Sequence, residues 1–300
     1  MVSAAQIEKA MQDPWMAMTW GLCRAWPNYY RSRLLRLASD CGISRPGFIL
    51  SFDCDTDHDS AVVEKLHFRL RRLGLHPIYA VPAEVLRSAL PAYKALAEDG
   101  AEFLNHGFRR HAARTENGTA ISTFFYDPTR PEEWEQDIRR GHHAVVEALG
   151  QVPRGFRTPH FGSFEAGATL DRLWRFLAGM GYLYSSSTRP LFAAKHGPAF
   201  RRHGVTEIPV SGCLDQPAQI LDSWGLLSNG AGGSSRLIAQ LDAYRAIMQA
   251  GAPVLLNIYL DPADVAEKEQ VIAALGRMAP YETEGGFNRL AIPAAGHTIS

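Results

Sequence analysis

Four aspartates within seven residues are the first feature of this sequence that could do chemistry. They are Asp53, Asp55, Asp57 and Asp59, and they follow a short apolar run. Carboxylates this close repel one another unless a cation or basic groups lie among them. Asp53 and Asp55 are two residues apart, so in an extended strand they share one face, where one could bind a metal ion and the other act as a base. A helix N-terminus would explain Asp57 and Asp59, but it does not explain Asp53 at the end of an apolar strand.

Two histidines form a second candidate site. His106 and His111 lie close together after another apolar segment. Imidazoles at this spacing suit zinc or another divalent cation, above all when an aspartate joins them from elsewhere in the chain. The alternative is a pair of surface histidines beside Arg109 and Arg110.

A third candidate site is the segment 155–162, with the sequence GFRTPHFG. Arg157 could pair with an aspartate at the end of a strand and fix its orientation. Pro159 and Gly162 force a tight loop, whose backbone N–H groups could face a developing oxyanion. The alternative is an ordinary connection between a strand and a helix.

The elements that must position these residues alternate between strand and helix about seven times. This alternation predicts a parallel α/β architecture, either a barrel or a doubly wound sheet, and active sites in such folds lie at the C-terminal ends of the strands. Apolar runs predict strands at 47–55, 76–81, 101–106, 154–159, 182–187, 205–211, 253–260 and 288–293. Apolar periodicity predicts helices at 58–74, 83–100, 131–150, 168–181, 235–251 and 262–278. Polar or Gly/Ser-rich composition predicts long loops at 112–130 and 222–235.

The N-terminal segment differs from the rest. Residues 1–44 have a helical pattern with many aromatic side chains, and no long linker divides the remaining chain. We therefore predict an N-terminal helical extension over 1–44 and one barrel-like domain over 45–300. The aromatic helices either cap that domain or form an amphipathic surface that touches a membrane or a partner.

Composition excludes several classes of protein. The 300 residues include 31 Lys+Arg and 31 Asp+Glu, and this zero net charge argues against nucleic acid as a partner. No stretch of 18 apolar residues predicts a membrane-spanning helix. The four cysteines are far apart and form no CxxC pair, which indicates free thiols. Glu8 and Asp13 fall where a secretion signal would be apolar, so we expect a cytoplasmic protein.

The three candidate sites together resemble the polysaccharide deacetylases, the NodB-homology group that forms carbohydrate esterase family 4. The matching motifs are Asp-x-Asp after the first strand, His-Gly…His after the third and Phe-Arg-x-Pro after the fourth, and the likeness covers residues 47–293. The resemblance implies an α/β fold, a distorted (β/α)₇ barrel. It also implies a metal-dependent hydrolase that removes an acetyl group from an N-acetylated sugar of a polysaccharide or its precursor.

The resemblance also implies roles for individual residues. Asp53 is similar to the catalytic base of that family, and Arg157 to the residue that orients the base. Asp55 and His106 are similar to its metal ligands, which hold one divalent ion. We expect zinc, with cobalt, nickel or iron as alternatives. The loop 158–162 is similar to the loop on the oxyanion side.

Two departures from the family pattern concern the metal site and the proton donor. The family's second histidine lies four residues after the first, a position that Arg110 occupies here, and we expect His111 to bind the metal instead. The family's late strand ends in a histidine that protonates the leaving amine. Here the segment 254–262 contains no histidine, and the residues that could take its place are Asn257, Tyr259 and Asp261.

The remaining candidates concern the substrate. His160 is the nearest other imidazole in sequence, and we take it as a candidate acid. A backbone N–H near the segment from Pro159 to Phe161 is a candidate to hold the substrate's oxyanion. Trp224 could stack on a sugar face, or could be a core or lid residue.

Two other functions fit part of the pattern. A degenerate member of the same fold could bind sugars without hydrolysis, or could hydrolyse a small cyclic amide without a metal. A phosphatase of the haloacid dehalogenase type could use Asp53 as nucleophile and Asp55 as acid. If the protein is a cytoplasmic deacetylase, it would meet nucleotide-linked or lipid-linked sugar precursors, which suggests surface-polysaccharide or O-antigen biosynthesis.

Overall fold

A curved sheet of eight strands forms the centre of the molecule. The computed structural model describes residues 13–115, 120–164, 167–228 and 233–291. The strands are β1 Gly47–Asp53, β2 Ile78–Val81, β3 Phe103–Asn105, β4 Ala112–Arg114, β5 Ala120–Ser122, β6 Gly155–Phe156, β7 Tyr184–Ser185, β8 Phe200–Arg202, β9 Val205–Glu207 and β10 Leu255–Leu260. The order in the sheet is β10-β1-β2-β3-β6-β7-β9-β8, while β4 and β5 form a separate antiparallel pair.

Neighbouring strands of the large sheet run parallel except β8 and β9, which form an antiparallel pair. Every residue of β1, β2, β3 and β10 is buried, as is typical of parallel strands covered on both faces. The sheet curls into an open barrel, which confirms the predicted α/β fold with a distorted (β/α)₇ barrel.

Helices cover the outside of the sheet. They are α1 Pro14–Ala25, α2 Pro27–Asp40, α3 Asp57–Arg72, α4 Ala83–Ser88, α5 Leu90–Glu98, α6 Pro131–Leu149, α7 Gly167–Gly179, α8 Pro190–His196, α9 Gly233–Gln249, α10 Pro262–Val265, α11 Glu269–Gly276 and α12 Gly286–Ala291. A π-helical turn spans Trp224–Ser228, and a 3₁₀ turn spans Ala279–Tyr281. Among the described residues, no helix combines the length and the apolar character needed to cross a membrane.

An asparagine connects the two parts of the chain that flank the gap in the barrel, β10 and the segment after β9. Nδ2 of Asn257 donates to the carbonyl oxygens of Ile208 at 3.2 Å and Pro209 at 3.1 Å. The backbone N–H of Ser211 donates to the carbonyl oxygen of Asn257 at 2.8 Å. The buried side-chain amide of Asn257 therefore links the segment after β9 to β10, which are not paired as neighbouring strands in the sheet.

The prediction of a last strand at 288–293 is wrong. Residues 286–291 form α12, and residues 292 and 293 lie outside the described part of the chain. Phe287 and Ala291 are four residues apart and both are buried, which is the spacing of one helix face. Phe287 stacks on Tyr184 of β7 with ring centroids 5.3 Å apart, so α12 covers the sheet where a strand was expected.

Several predicted elements are subdivided in the structure. The predicted helix 83–100 breaks at Ala89 into α4 and α5, and the predicted helix 262–278 divides into α10 and α11. The predicted loop 112–130 contains the hairpin of β4 and β5, and the predicted loop 222–235 contains the π-helical turn. In the N-terminal segment, α1 and α2 meet at Trp26, and residues 1–12 lie outside the described part of the chain.

Candidate metal and hydrolase site

The candidate site residues lie where three strands of the sheet end. Asp53 is the last residue of β1 and Asp55 follows two residues later, while His106 comes directly after β3 and Arg157 directly after β6. The carboxyl ends of parallel strands meet at one rim, so the sheet brings these side chains together. All four are buried, and the most exposed, Asp55, shows 7% of its surface to solvent.

Asp55, His106 and His111 present one potential ligand atom each, and these atoms lie within 4.8 Å of one another. Oδ1 of Asp55 is 3.0 Å from Nε2 of His111 and 3.4 Å from Nε2 of His106. Although all three atoms are buried, none has a directed hydrogen-bond partner among the described residues. Buried polar atoms in folded proteins are nearly always partnered, so this donor set fits a shared cation. One carboxylate and two imidazoles are a ligand combination that zinc accepts.

The hydrogen bond on the far side of His106 fixes which nitrogen can bind a metal. Nδ1 of His106 lies 2.9 Å from the carbonyl oxygen of Arg157. A carbonyl only accepts, so the proton is on Nδ1 and the lone pair of Nε2 faces Asp55. Histidines that bind metals in proteins are commonly oriented in this way by a carbonyl or a carboxylate.

The charges of the three residues influence one another. Burial alone would raise the pKa of Asp55, but His111 and His106 outweigh it and hold that pKa well below its usual range. Burial alone would lower the pKa of His106, but the carboxylates of Asp55 and Asp53 raise it above its ordinary value. Asp55 is therefore ionised at neutral pH, as a metal ligand must be.

The loop after β3 is shaped by a glycine and by an aspartate from α6. Gly107 has a φ of +80°, and a Cβ at this position would lie 2.5 Å from the hydroxyl of Tyr126. Only glycine avoids both the strain and the collision. Oδ2 of Asp137 accepts hydrogen bonds from the backbone N–H of Phe108 and from the hydroxyl of Tyr126, both at 2.8 Å. These contacts fix the path of the chain from His106 to the second histidine.

Along this path Arg110 turns outward and His111 turns inward. Nη2 of Arg110 donates to Oδ1 of Asp57 at 2.7 Å and to Oγ of Ser88 at 2.9 Å. His111 is fully buried beside Asp55. The loop therefore places Arg110 on its outer side and His111 next to Asp55.

A buried ion pair lies next to the metal ligands. Nη1 of Arg157 donates to Oδ1 of Asp53 at 2.6 Å and to Oγ of Ser51 at 2.8 Å. The other oxygen of Asp53, Oδ2, lies 3.8 Å from Nε2 of His106. Arg157 is completely buried. One carboxylate oxygen of Asp53 is thus held by the arginine, and the other faces the metal ligands.

His160 lies next to His111, with ring centroids 5.1 Å apart. Its Nε2 donates to the carbonyl oxygen of His111 at 3.1 Å, and its ring lies against that of Phe125 with centroids 4.4 Å apart. Burial, together with the nearby imidazole of His111, lowers the pKa of His160 to about 4. At neutral pH His160 is therefore a neutral imidazole that contacts the second histidine through its backbone.

The three candidate substrate-binding residues lie in different surroundings. Pro159 is buried and Phe161 is half-buried. Phe161 stacks on Tyr259, with ring centroids 5.2 Å apart, and the ring of Tyr259 lies 5.4 Å from Cζ of Arg157. Trp224 is half-buried on the π-helical turn.

Two further carboxyl groups come to this rim from the last third of the chain. Oδ2 of Asp222 accepts from the hydroxyl of Tyr259 at 2.7 Å, and burial raises the pKa of Asp222 to about 6. Asp261 follows β10 directly, and its Oδ2 accepts from Oγ of Ser223 at 2.6 Å. Burial raises the pKa of Asp261 well above its usual range, and the carboxylates of Asp59 and Asp55 raise it further.

Sequence reasoning missed four residues that support the site: Ser51, Asp137, Ser186 and Asp222. Ser51 could have been found, because it lies two residues before Asp53 and therefore on the same face of β1. The other three are brought in by the fold from distant parts of the chain. Oγ of Ser186, for example, lies 3.3 Å from Nη2 of Arg157, 29 residues away.

Comparison with known proteins points to one fold. No family model matches the sequence, and no curated protein matches it. Among solved structures, a protein from Pseudomonas aeruginosa PAO1 that is classed as a polysaccharide deacetylase is 16% identical. Its TM-score is 0.57, and the match covers 82% of this chain and 88% of that one. A protein from Mycobacterium smegmatis that is classed in the same way is 18% identical. Its TM-score is 0.53, with 82% and 89% covered.

A third solved structure, the allantoinase PuuE, is 14% identical with a TM-score of 0.54, and the match covers 78% of this chain and 82% of that one. At sequence identities this low, a structural match shows only that two proteins share a fold. The three matched proteins share this fold although they are classed under different activities. The resemblance expected from the sequence motifs is confirmed at this level: the chain has the fold of the polysaccharide deacetylases.

Proposed function

We propose that this protein is a metal-dependent hydrolase that removes an acetyl group from an N-acetylated sugar of a polysaccharide or of its precursor. The observation that carries this proposal is the set of three buried ligand atoms on Asp55, His106 and His111, which lie beside the ion pair of Asp53 and Arg157. A metal-binding set next to a carboxylate whose orientation is fixed by an arginine suits metal-assisted hydrolysis. The fold, which this chain shares with polysaccharide deacetylases, supports the same function.

The metal would be one divalent ion held by Asp55, His106 and His111. Zinc is the first choice because it accepts imidazole and carboxylate together at low coordination number, and cobalt, nickel or iron could replace it. When bound, such an ion polarises an acyl oxygen and lowers the pKa of water.

Asp53 would act as the base that removes a proton from the attacking water. Arg157 holds Oδ1 of Asp53 at 2.6 Å, and Oδ2 of Asp53 lies on the side of the metal ligands, 3.8 Å from Nε2 of His106. Backbone N–H groups of the loop 158–162 would stabilise the oxyanion of the tetrahedral intermediate, and Phe161 would contact the substrate next to Tyr259. Trp224 would stack on the sugar from the neighbouring turn.

Two residues could protonate the leaving amine. His160 lies next to His111, but its Nε2 proton is engaged by a carbonyl and its pKa is low. Asp261 follows β10, at the end of the late strand where related proteins are expected to carry a histidine. Burial, together with the carboxylates of Asp59 and Asp55, raises the pKa of Asp261 well above its usual range, which favours the protonated form. Asp261 is therefore the better acid, and His160 would support the position of His111.

The substrates we propose are nucleotide-linked or lipid-linked sugars in the cytoplasm, in the context of surface-polysaccharide or O-antigen synthesis. Release of acetate from such N-acetylated sugars should require the metal, and it should stop in the presence of a chelator and return when zinc is added. Hydrolysis of a small cyclic amide that a chelator does not affect would favour the metal-free alternative. The fold and the pairing of Asp53 with Arg157 both favour hydrolysis of the deacetylase kind over a phosphatase of the haloacid dehalogenase type.

A further inference from the structure

The helical hairpin of α1 and α2 carries an unusual concentration of exposed apolar side chains. Trp15, Met18, Trp20 and Trp26 are exposed by 39%, 52%, 45% and 62%. They are four of the nine large apolar side chains that are exposed among the described residues, and they lie within twelve consecutive positions. We refer to these four side chains as the hairpin patch. Single exposed apolar residues are ordinary, but a cluster of this kind marks an interaction site.

The inner side of the hairpin is firmly attached to the barrel. Tyr30 and Ala38 are completely buried, and the hydroxyl of Tyr30 accepts a hydrogen bond from the backbone N–H of Gly212 at 3.2 Å. Nε of Arg33 donates to the carbonyl oxygen of Ala194 in α8 at 3.1 Å. The inner side of the hairpin therefore already has its partners, and the four side chains of the hairpin patch lie outside that contact.

Arginines outnumber acidic residues around the hairpin patch. Residues 13–40 contain four arginines and two aspartates, whereas the whole chain has no net charge. The aspartates lie at the two ends: Asp13 caps α1 and pairs with Lys195, and Asp40 ends α2. Arg24, Arg31 and Arg36 are exposed, and the guanidinium of Arg24 lies 5.6 Å from the ring centre of Trp20. The partner of this surface must therefore accept apolar aromatic rings and carry negative charge.

We propose that the hairpin patch binds the surface of a membrane that contains anionic lipid. Tryptophan is favoured at the boundary between headgroups and acyl chains, and arginines next to it are attracted to anionic headgroups. Helix α1 has 12 residues, so it is roughly 18 Å long and can lie in the interface but cannot span the bilayer. A second copy of the chain is a poorer partner, because a two-fold contact would bring the three exposed arginines of one copy towards those of the other.

This inference does not depend on the proposed hydrolase function, because vesicle binding is measured without turnover. The full-length protein should sediment with vesicles of phosphatidylcholine and phosphatidylglycerol, and much less with vesicles of phosphatidylcholine alone. Binding should weaken as salt is raised, since the screening length falls from about 10 Å at 0.1 M to about 3 Å at 1 M. The emission of tryptophan should shift to shorter wavelength when anionic vesicles are added.

Two double variants separate the apolar and the charged contributions. Trp20→Ser with Trp26→Ser should abolish most sedimentation and most of the spectral shift. Arg31→Glu with Arg36→Glu should lower the partition coefficient at least about 25-fold, at roughly five-fold for each arginine. All four side chains are exposed, so both variants should fold, which their circular dichroism and melting temperature would verify.

Matched controls come from other surfaces of the molecule. Val152→Ser removes an exposed apolar side chain, and Arg72→Glu with Arg175→Glu reverses two exposed charges on α3 and α7. These controls should bind vesicles as the original protein does. The proposal is wrong if the original protein does not sediment with anionic vesicles, or if both hairpin variants sediment equally well. It is also wrong if the tryptophan variant instead converts a dimer into a monomer, because the partner is then a second copy.

Discussion

Arg157 contacts His106 through its backbone carbonyl and Asp53 through its side chain. Its carbonyl oxygen accepts the Nδ1 proton of His106 at 2.9 Å, and its guanidinium donates to Oδ1 of Asp53 at 2.6 Å. A metal ligand and the proposed base are therefore oriented by one residue at the end of β6. The side chain of Arg157 can be changed by mutation while its carbonyl stays in place, so the two functions can be separated.

Arg157→Met should abolish hydrolysis and lower stability, but retain the metal. The carboxylate of Asp53 would remain buried without its ion-pair partner, a change that typically costs about 3–5 kcal/mol of unfolding free energy. His106 would keep its backbone partner, so metal affinity should change by less than about tenfold. Urea unfolding and calorimetric titration with zinc measure the two effects. A variant that is as stable as the original, or that no longer binds zinc, would contradict this division of roles.

Asp53→Asn should retain the metal and lose turnover. The amide keeps the shape of the side chain but is not a base, and loss of a general base typically lowers kcat by about 10²–10⁴-fold. Acetate release under saturating substrate is the measurement, and metal content of the same sample is the control. Turnover within a few-fold of the original would exclude Asp53 as the base.

The proton donor can be identified by comparing Asp261→Asn with His160→Gln. If Asp261 protonates the leaving amine, Asp261→Asn should lower kcat for sugar amides by about a hundredfold or more. It should also remove the fall of kcat at high pH. His160→Gln should have a smaller effect without a change in the pH profile, because it acts on the position of His111. The reverse result would assign the acid to His160.

Zinc affinity should fall as the pH is lowered from 8 to 6. Neighbouring carboxylates raise the pKa of His106 above its ordinary value near 6.5, so protons compete with zinc below that raised pKa. Protonation of His106 stabilises the metal-free fold at low pH, and this contribution is lost as the pH rises through the raised pKa. The increase in melting temperature caused by zinc should therefore be larger at pH 8 than at pH 6. An increase that does not depend on pH would contradict the assignment of His106 as a ligand.

The position of the site could be predicted from sequence, but its geometry could not. Apolar runs that end in Asp53, His106 and Arg157 place these residues at strand ends, because strands 47–53, 103–105 and 155–156 are buried in a parallel sheet. The choice between Arg110 and His111 depended on the conformation of one loop. That loop is held by Asp137, 29 residues after Phe108, and a contact so distant leaves no local pattern.

The prediction of a strand at 288–293 was wrong for a similar reason: the deciding contact is distant in sequence. A short apolar run does not distinguish a buried strand from a buried helix face, and the spacing of Phe287 and Ala291 fits a helix as well. The surface against which the segment packs decides between strand and helix. That surface includes Tyr184 of β7, which is about 100 residues away in sequence.

The metal content of the purified, untagged protein tests the central claim most directly. Elemental mass spectrometry should find about one equivalent of zinc, cobalt, nickel or iron per chain. The matched variants His111→Ala and Arg110→Ala should differ: the first should lose the metal and the second should keep it, because Arg110 points away from the ligands. If the original protein binds no metal after incubation with each ion, or if His111→Ala retains a full equivalent, the proposed metal site and the hydrolase mechanism built on it are wrong.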